Sequence, residues 1–178
     1  MHMKNKYKHI FFDLDRTLWH FDENSKRVLN TMFSDFKLND HIPTAAAFID
    51  CYQQINEALW DQYREGKIEK DELRWKRFAE TLEAFELVDD KLGEDMGEYY
   101  VHHSPRQKEL LPHARKVLDY LKDKYTLHII TNGFEEVQYI KMNESEIRHY
   151  FDVIVLSEKV GVKKPHPYIC LLYTSPSP

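Results

Sequence analysis

Two carboxylates one residue apart, Asp13 and Asp15, follow the apolar run Ile10-Phe11-Phe12 and lead to Thr17. An apolar run with Tyr7 before it and a turn-prone polar segment after it predicts a strand buried on both faces, with the acids at its carboxyl end. In open α/β sheets ligands bind at that end, so the two acids would stand at the lip of a crevice. With a strand's period of two, Asp13, Asp15 and Thr17 share one face. Two further polar segments carry chemistry, Thr131-Asn132-Gly133 and Gly161-Val162-Lys163-Lys164-Pro165. A hydroxyl beside freely approachable backbone N–H groups suits phosphate oxygens, and a nearby ammonium neutralises their charge. The acids, the hydroxyl and a lysine converge only if the strands that precede them are parallel and adjacent.

The elements that must position these residues are legible as patterns. Tyr125 to Thr131 and Phe151 to Leu156 read as two more strands, and a helix carrying Ala114, Val117, Leu118 and Leu121 leads into the first of them. Another helix spans about Glu135 to Asn143, with a further turn to Tyr150. Strands separated by helices predict a parallel sheet with right-handed crossovers, an α/β Rossmann-like core. Between the first strand and this alternation, residues 20 to 104 are helical throughout. Asn24 or Ser25 is the expected cap of a first helix, Pro43-Thr44 restarts the pattern, and Gly66 closes a second helix built on Phe48, Tyr52, Ile55, Leu59 and Tyr63. Trp60, Trp75 and Phe78 are expected to pack within this insertion.

Composition narrows the function classes. The chain has 178 residues, 42% hydrophobic and 31% charged, enough for a core with an insertion. A net charge of −5 offers no basic field for a nucleic-acid polymer. The two cysteines, Cys51 and Cys170, form no CxxC, which predicts neither a disulfide framework nor a zinc site and fits a cytoplasmic protein. No export signal or membrane span is expected, and the ten histidines lack metal-ligand spacing.

In these motifs the chain resembles the haloacid dehalogenase-like (HAD) phosphatases of the helical-cap subclass, over about residues 7 to 169. DLDRTL at Asp13, TNG at Thr131 and GVKKP at Gly161 stand in the family's order, and DLDRTLW, TNGF and SEKVGVKKP are most similar to its noncanonical pyrimidine nucleotidases. The resemblance implies a Rossmann-like core from residues 1–19 and 105–169, with residues 20–104 as the cap that closes over the leaving group. It implies that Asp13 attacks phosphorus and becomes an aspartyl phosphate, while Asp15 protonates the leaving oxygen and later activates water. Mg²⁺ would be held by Asp13 and by the main-chain carbonyl of Asp15. Thr131, Asn132 and Gly133 would bind the phosphoryl group, and Lys164, the lysine directly before the proline, is favoured over Lys163 for balancing its charge. A cation is expected on electrostatic grounds, since at an effective dielectric of about 20 two like unit charges about 4 Å apart repel by on the order of 4 kcal/mol. The implied substrate is a small phosphorylated metabolite, a nucleotide. A sugar phosphomutase and a non-catalytic phosphate-binding or phospho-acceptor module are the alternatives, and oligomeric state stays open.

The family's fourth, acidic motif, which supplies a further metal ligand, is expected a few tens of residues beyond Lys164-Pro165, where this chain has ended. Residues 170–178 do not continue the helix expected from His166 and resemble translated sequencing-adapter sequence, which predicts a non-native tail on a truncated chain. Such a chain is expected to expose its first strand as a sheet edge and to turn over poorly.

Overall fold

A computed structural model describes residues 7–174 and divides the chain into two compact units, Met1–Asp22 with Pro105–Pro178, and Glu23–Ser104. The first unit holds a three-stranded sheet of β1 (His9–Phe12), β2 (Thr126–Thr131) and β3 (Phe151–Leu156), ordered β1-β2-β3 with both pairs parallel. Phe12 lies opposite Ile129 and Thr131 opposite Leu156, so all three strands deliver the chain to one edge of the sheet. Leu14, Leu18, Trp19, Leu127, Ile129 and Phe151 form the buried core of this unit. Ile10, Phe11 and Phe12 are only half-buried, not enclosed on both faces, because β1 pairs with β2 alone and is an edge of the described sheet.

The second unit packs α1 (Phe21–Asp35, which starts in the first unit), α2 (Ala45–Arg64), α3 (Lys70–Glu83) and α4 (Asp90–His103) around Met32, Phe48, Tyr52, Phe78, Leu82 and Tyr100. Phe78 is fully enclosed, whereas Trp60 and Trp75 are half-buried. Thr44 caps α2 by accepting from the Ala47 N–H at 3.1 Å, and Gly66 takes the left-handed conformation just past its end. Asn24 and Ser25 cap nothing: α1 begins earlier, at Phe21, and both lie buried inside it, where the Ser25 hydroxyl accepts from Tyr100 at 2.8 Å. Polar side chains turned into a bundle find partners across it instead of at a helix end.

After the insertion come α5 (Ala114–Lys122), α6 (Glu135–Glu144), α7 (Ser157–Val160) and α8 (Pro167–Thr174). Gly161 does not directly follow β3, since the four-residue α7 intervenes and Gly161 closes it at φ 80°. The turn expected to extend α6 to Tyr150 is a separate 3₁₀ turn, Arg148–Tyr150, beyond a left-handed Glu146. Helix α8 runs on through Thr174, past Ile169 where the pattern predicts a break, because no glycine or proline interrupts it; residues 175–178 lie outside the described residues. No helix among the described residues is long and apolar enough to cross a membrane.

On the face of the sheet opposite Leu127 and Ile129, His128 is buried and links all three strands. Its Nδ1 accepts from the Val153 N–H at 3.3 Å, so its proton sits on Nε2, which donates to His9 Nδ1 at 2.9 Å. Burial first, then the neighbouring His9, holds its pKa below the ordinary value, against an opposing pull from Asp152. A histidine with a depressed folded pKa contributes stability that is complete above its unfolded pKa, about 6.5, and is lost as pH falls through and below that value. The urea midpoint should therefore drop between pH 7.5 and 5.5, and His128→Leu should flatten that slope; an unchanged slope refutes the link.

A second prediction concerns the closeness of α3 and α4. A Cβ on Gly97 would stand 2.9 Å from the Arg74 carbonyl oxygen and 3.2 Å from the Trp75 Cα. Helix propensity alone makes Gly97→Ala stabilising by up to about 1 kcal/mol, but the clash is with backbone and should prevail, giving a loss of about 1–3 kcal/mol in urea unfolding.

Candidate active site

The chain leaves β1 at Phe12, and Asp13, Asp15 and Thr17 belong to a tight loop instead of one strand face. Leu14, fully buried between the two acids, anchors that loop, and its carbonyl accepts from the N–H groups of Thr17, Leu18 and Trp19. Arg16 adopts φ 59° to let the chain fold back, and its N–H donates to the Trp19 carbonyl at 3.0 Å. Trp19, itself fully buried, donates its indole N–H to the Gln107 carbonyl at 3.1 Å. The acids are thus held by an apolar plug directly beneath them.

Each acid meets a lysine from a different segment. Lys164 Nζ lies 2.8 Å from Asp13 Oδ1 and donates to the Ile130 carbonyl at 2.8 Å. Asp13 Oδ1 also accepts from the Leu14 N–H at 2.8 Å. Lys164 is therefore the lysine of its segment that is brought to Asp13, and its position depends on Asn132, whose side-chain amide donates to the Lys164 carbonyl at 3.0 Å and accepts from its N–H at 2.8 Å. The side chain of Asn132, a residue expected as a phosphate ligand, is engaged in this strap.

Lys141 and Gln138 were not expected. Lys141 Nζ reaches Asp15 Oδ1 at 2.6 Å, and Gln138 Nε2 donates to Asp15 Oδ2 at 2.8 Å and to Thr131 Oγ1 at 2.7 Å. Gly133, expected to offer a free N–H, donates it to Thr131 Oγ1 at 3.1 Å. With both hydroxyl lone pairs engaged, Thr131 has only its proton left to give, so it can act as a donor to an incoming oxygen. The sequence did hold a signal for the missed pair. Phe134, Gln138, Lys141, Met142 and Ser145 are all buried, at the i, i+4, i+7, i+8 and i+11 positions of a helix face, and two of them are long polar side chains where core residues belong.

The donor set fits a hard, oxygen-preferring cation. Among the described residues Asp13 Oδ2 and the Asp15 main-chain carbonyl take no hydrogen bond, and the Asp13 side chain is 44% exposed. The described residues contain no group of three or more metal-ligating side chains, so such an ion would complete its shell with substrate and water oxygens, as Mg²⁺ commonly does.

A family model for haloacid dehalogenase-like hydrolases matches residues 7–173. The chain belongs to this family. It is 35% identical over 164 residues to the pyrimidine 5′-nucleotidase YjjG of Escherichia coli, covering 92% of this chain and 68% of that protein. It is 30% identical over 160 residues to the pyrimidine 5′-nucleotidase PynA of Streptococcus pneumoniae, covering 89% and 65%. The magnesium-bound HAD-hydrolase YfnB of Bacillus subtilis superposes with a TM-score of 0.85 at 27% identity, over 97% of this chain and 74% of that one. The chain thus spans about two thirds of the length of these curated relatives.

Within this HAD-like hydrolase Gly133 is constrained by the missed glutamine. A Cβ there would stand 2.2 Å from Gln138 Nε2 and 2.4 Å from its Cδ. Gly133→Ala should force the amide off Asp15 and Thr131, lower stability by about 1–3 kcal/mol in urea unfolding and reduce hydrolysis; a variant matching the parent in both would show that Gln138 is not held there.

Proposed function

We propose that the chain carries the catalytic core of a Mg²⁺-dependent phosphomonoester hydrolase that works through an aspartyl phosphate on Asp13 and acts on pyrimidine nucleoside monophosphates. The observation that carries this reading is that Lys164 meets Asp13 directly while Asp15, one residue beyond Leu14 on the same loop, shares one partner, Gln138, with Thr131. The names of the YjjG and PynA relatives support the nucleotide as substrate, and the magnesium-bound YfnB structure supports the metal.

In this mechanism the Asp13 carboxylate attacks phosphorus, the bond from phosphorus to the alcohol oxygen breaks, and Asp15 gives that oxygen its proton. Water then attacks the aspartyl phosphate, with Asp15 taking the proton back and Asp13 released as carboxylate. Thr131 donates its free hydroxyl proton to a phosphoryl oxygen. Lys164, with one ammonium proton on Asp13 and one on the Ile130 carbonyl, has a third for the phosphoryl group. Mg²⁺, held by Asp13 and the Asp15 carbonyl, would supply charge stabilisation on the transferring group. The helical unit, by its place in the chain between the first two motifs, is assigned the cap.

Phosphate release should require Mg²⁺, should be faster from pyrimidine than from purine nucleoside monophosphates, and should fall by at least about 100-fold in Asp13→Asn, the loss expected when a nucleophile is removed. Equal activity in Asp13→Asn would exclude Asp13 as the nucleophile.

A further inference from the structure

The acid/base assigned to Asp15 needs more than proximity, because a proton is passed efficiently only along a held direction. Both oxygens of Asp15 are taken by α6, Oδ1 by Lys141 at 2.6 Å and Oδ2 by Gln138 at 2.8 Å. Residues 138 and 141 stand three apart on a helix, so both side chains leave the same face and reach one target together.

Neither side chain is free to go elsewhere. The Lys141 side chain is 5% exposed, and Asp15 is the carboxylate it meets among the described residues. Its ammonium lies 4.3 Å from the Trp19 ring centroid and 5.7 Å from that of Phe21, a cation–π seating that fixes it laterally. Trp19 in turn is fully buried and donates its indole N–H to the Gln107 carbonyl. Gln138 is fully buried, and among the described residues its Oε1 has no hydrogen-bond partner, although its Nε2 serves two acceptors. A carboxylate only accepts, so the amide nitrogen must face Asp15, and the unpaired carbonyl is the cost of that orientation. A glutamine that served packing alone would not leave a buried oxygen unpaired in order to bridge Asp15 and Thr131.

We propose that Lys141 and Gln138 are positioning residues for Asp15, a two-point clamp on α6 that fixes how its carboxylate is presented to the oxygen leaving phosphorus. This rests on the reading of Asp15 as the acid/base. The clamp also couples Asp15 to the phosphoryl-binding hydroxyl, since one amide nitrogen holds both. It touches no substrate atom and acts only through Asp15 and Thr131.

The test uses leaving groups that differ in their need for a proton. The alkoxide of a nucleoside monophosphate must be protonated as it departs, whereas p-nitrophenolate leaves without help. In Lys141→Met and Gln138→Leu, kcat/KM for uridine 5′-monophosphate should fall about 10-fold or more beyond the fall for p-nitrophenyl phosphate, a part of the roughly 10²–10⁴ that general acid catalysis contributes. Equal losses on the two esters, or no loss, would overturn the clamp and leave Lys141 and Gln138 a structural part. A second readout needs no turnover: in ¹⁵N spectra of the lysine ammonium groups of the full chain, the buried Lys141 signal should exchange slowly and should shift in Asp15→Asn. A Lys141 signal indifferent to Asp15→Asn would also overturn the proposal. A parent chain that hydrolyses neither ester, or only the aryl ester, would count against the proposed function, and the lysine spectrum would then decide the clamp.

Discussion

The site depends on neutralising two carboxylates that the chain sets one residue apart. Asp13 and Asp15 repel each other and would repel an anionic substrate, and each is answered by its own lysine, Lys164 at 2.8 Å and Lys141 at 2.6 Å. As carboxylates, the two acids are each matched by one ammonium. The two pairs differ in kind. Lys164–Asp13 is open, with side chains 24% and 44% exposed, so it is worth at most about 1 kcal/mol and can reorganise around a ligand. Lys141–Asp15 is far more enclosed, at 5% and 27%, so breaking it strands a mostly buried ammonium without its partner. One acid is therefore held adjustably and the other firmly, the difference that the proposed roles of nucleophile for Asp13 and proton carrier for Asp15 call for.

The fold supplies these partners from far along the chain. Lys164 arrives through Asn132, which straps the segment after α7 to the end of β2, and Lys141 arrives on the helix that leaves β2. Parallel pairing in the order β1-β2-β3 is what brings these segments to one edge of the sheet. Beneath them Leu14, Leu18 and Trp19 are packed away from water, so the loop that carries the acids is fixed by apolar burial between polar contacts.

The helical unit solves a different problem with its own core. Arg77 is 5% exposed and shares its charge among the Asn56 amide oxygen at 3.2 Å, the Arg74 carbonyl and the faces of Tyr100 and Phe78. Tyr52 packs in the same interior, and burial raises its pKa well above the ordinary tyrosine range. Aromatic faces and amide oxygens thus accommodate a guanidinium in an otherwise apolar bundle, and the aromatic residues that the sequence placed in this insertion serve its packing.

Sequence by itself determined the order of strands and helices and the helical insertion, and it singled out Asp13, Asp15, Thr131 and Lys164 as candidates. Those were legible because local apolar periodicity and short-range motifs carry them. It also misread particular positions. Asn24 and Ser25 looked like caps but are interior, the β1 run looked enclosed on both faces but is half-buried at the sheet edge expected of a truncated chain, and the Gly133 N–H looked free but is given to Thr131. Gln138 and Lys141 share a helix face with Phe134 and Met142, yet polar side chains on a short helix read as solvated until the helix is laid against its neighbours. Only tertiary structure decided that they face inward, because their partner Asp15 lies 123 and 126 residues away and no local pattern encodes a contact of that range.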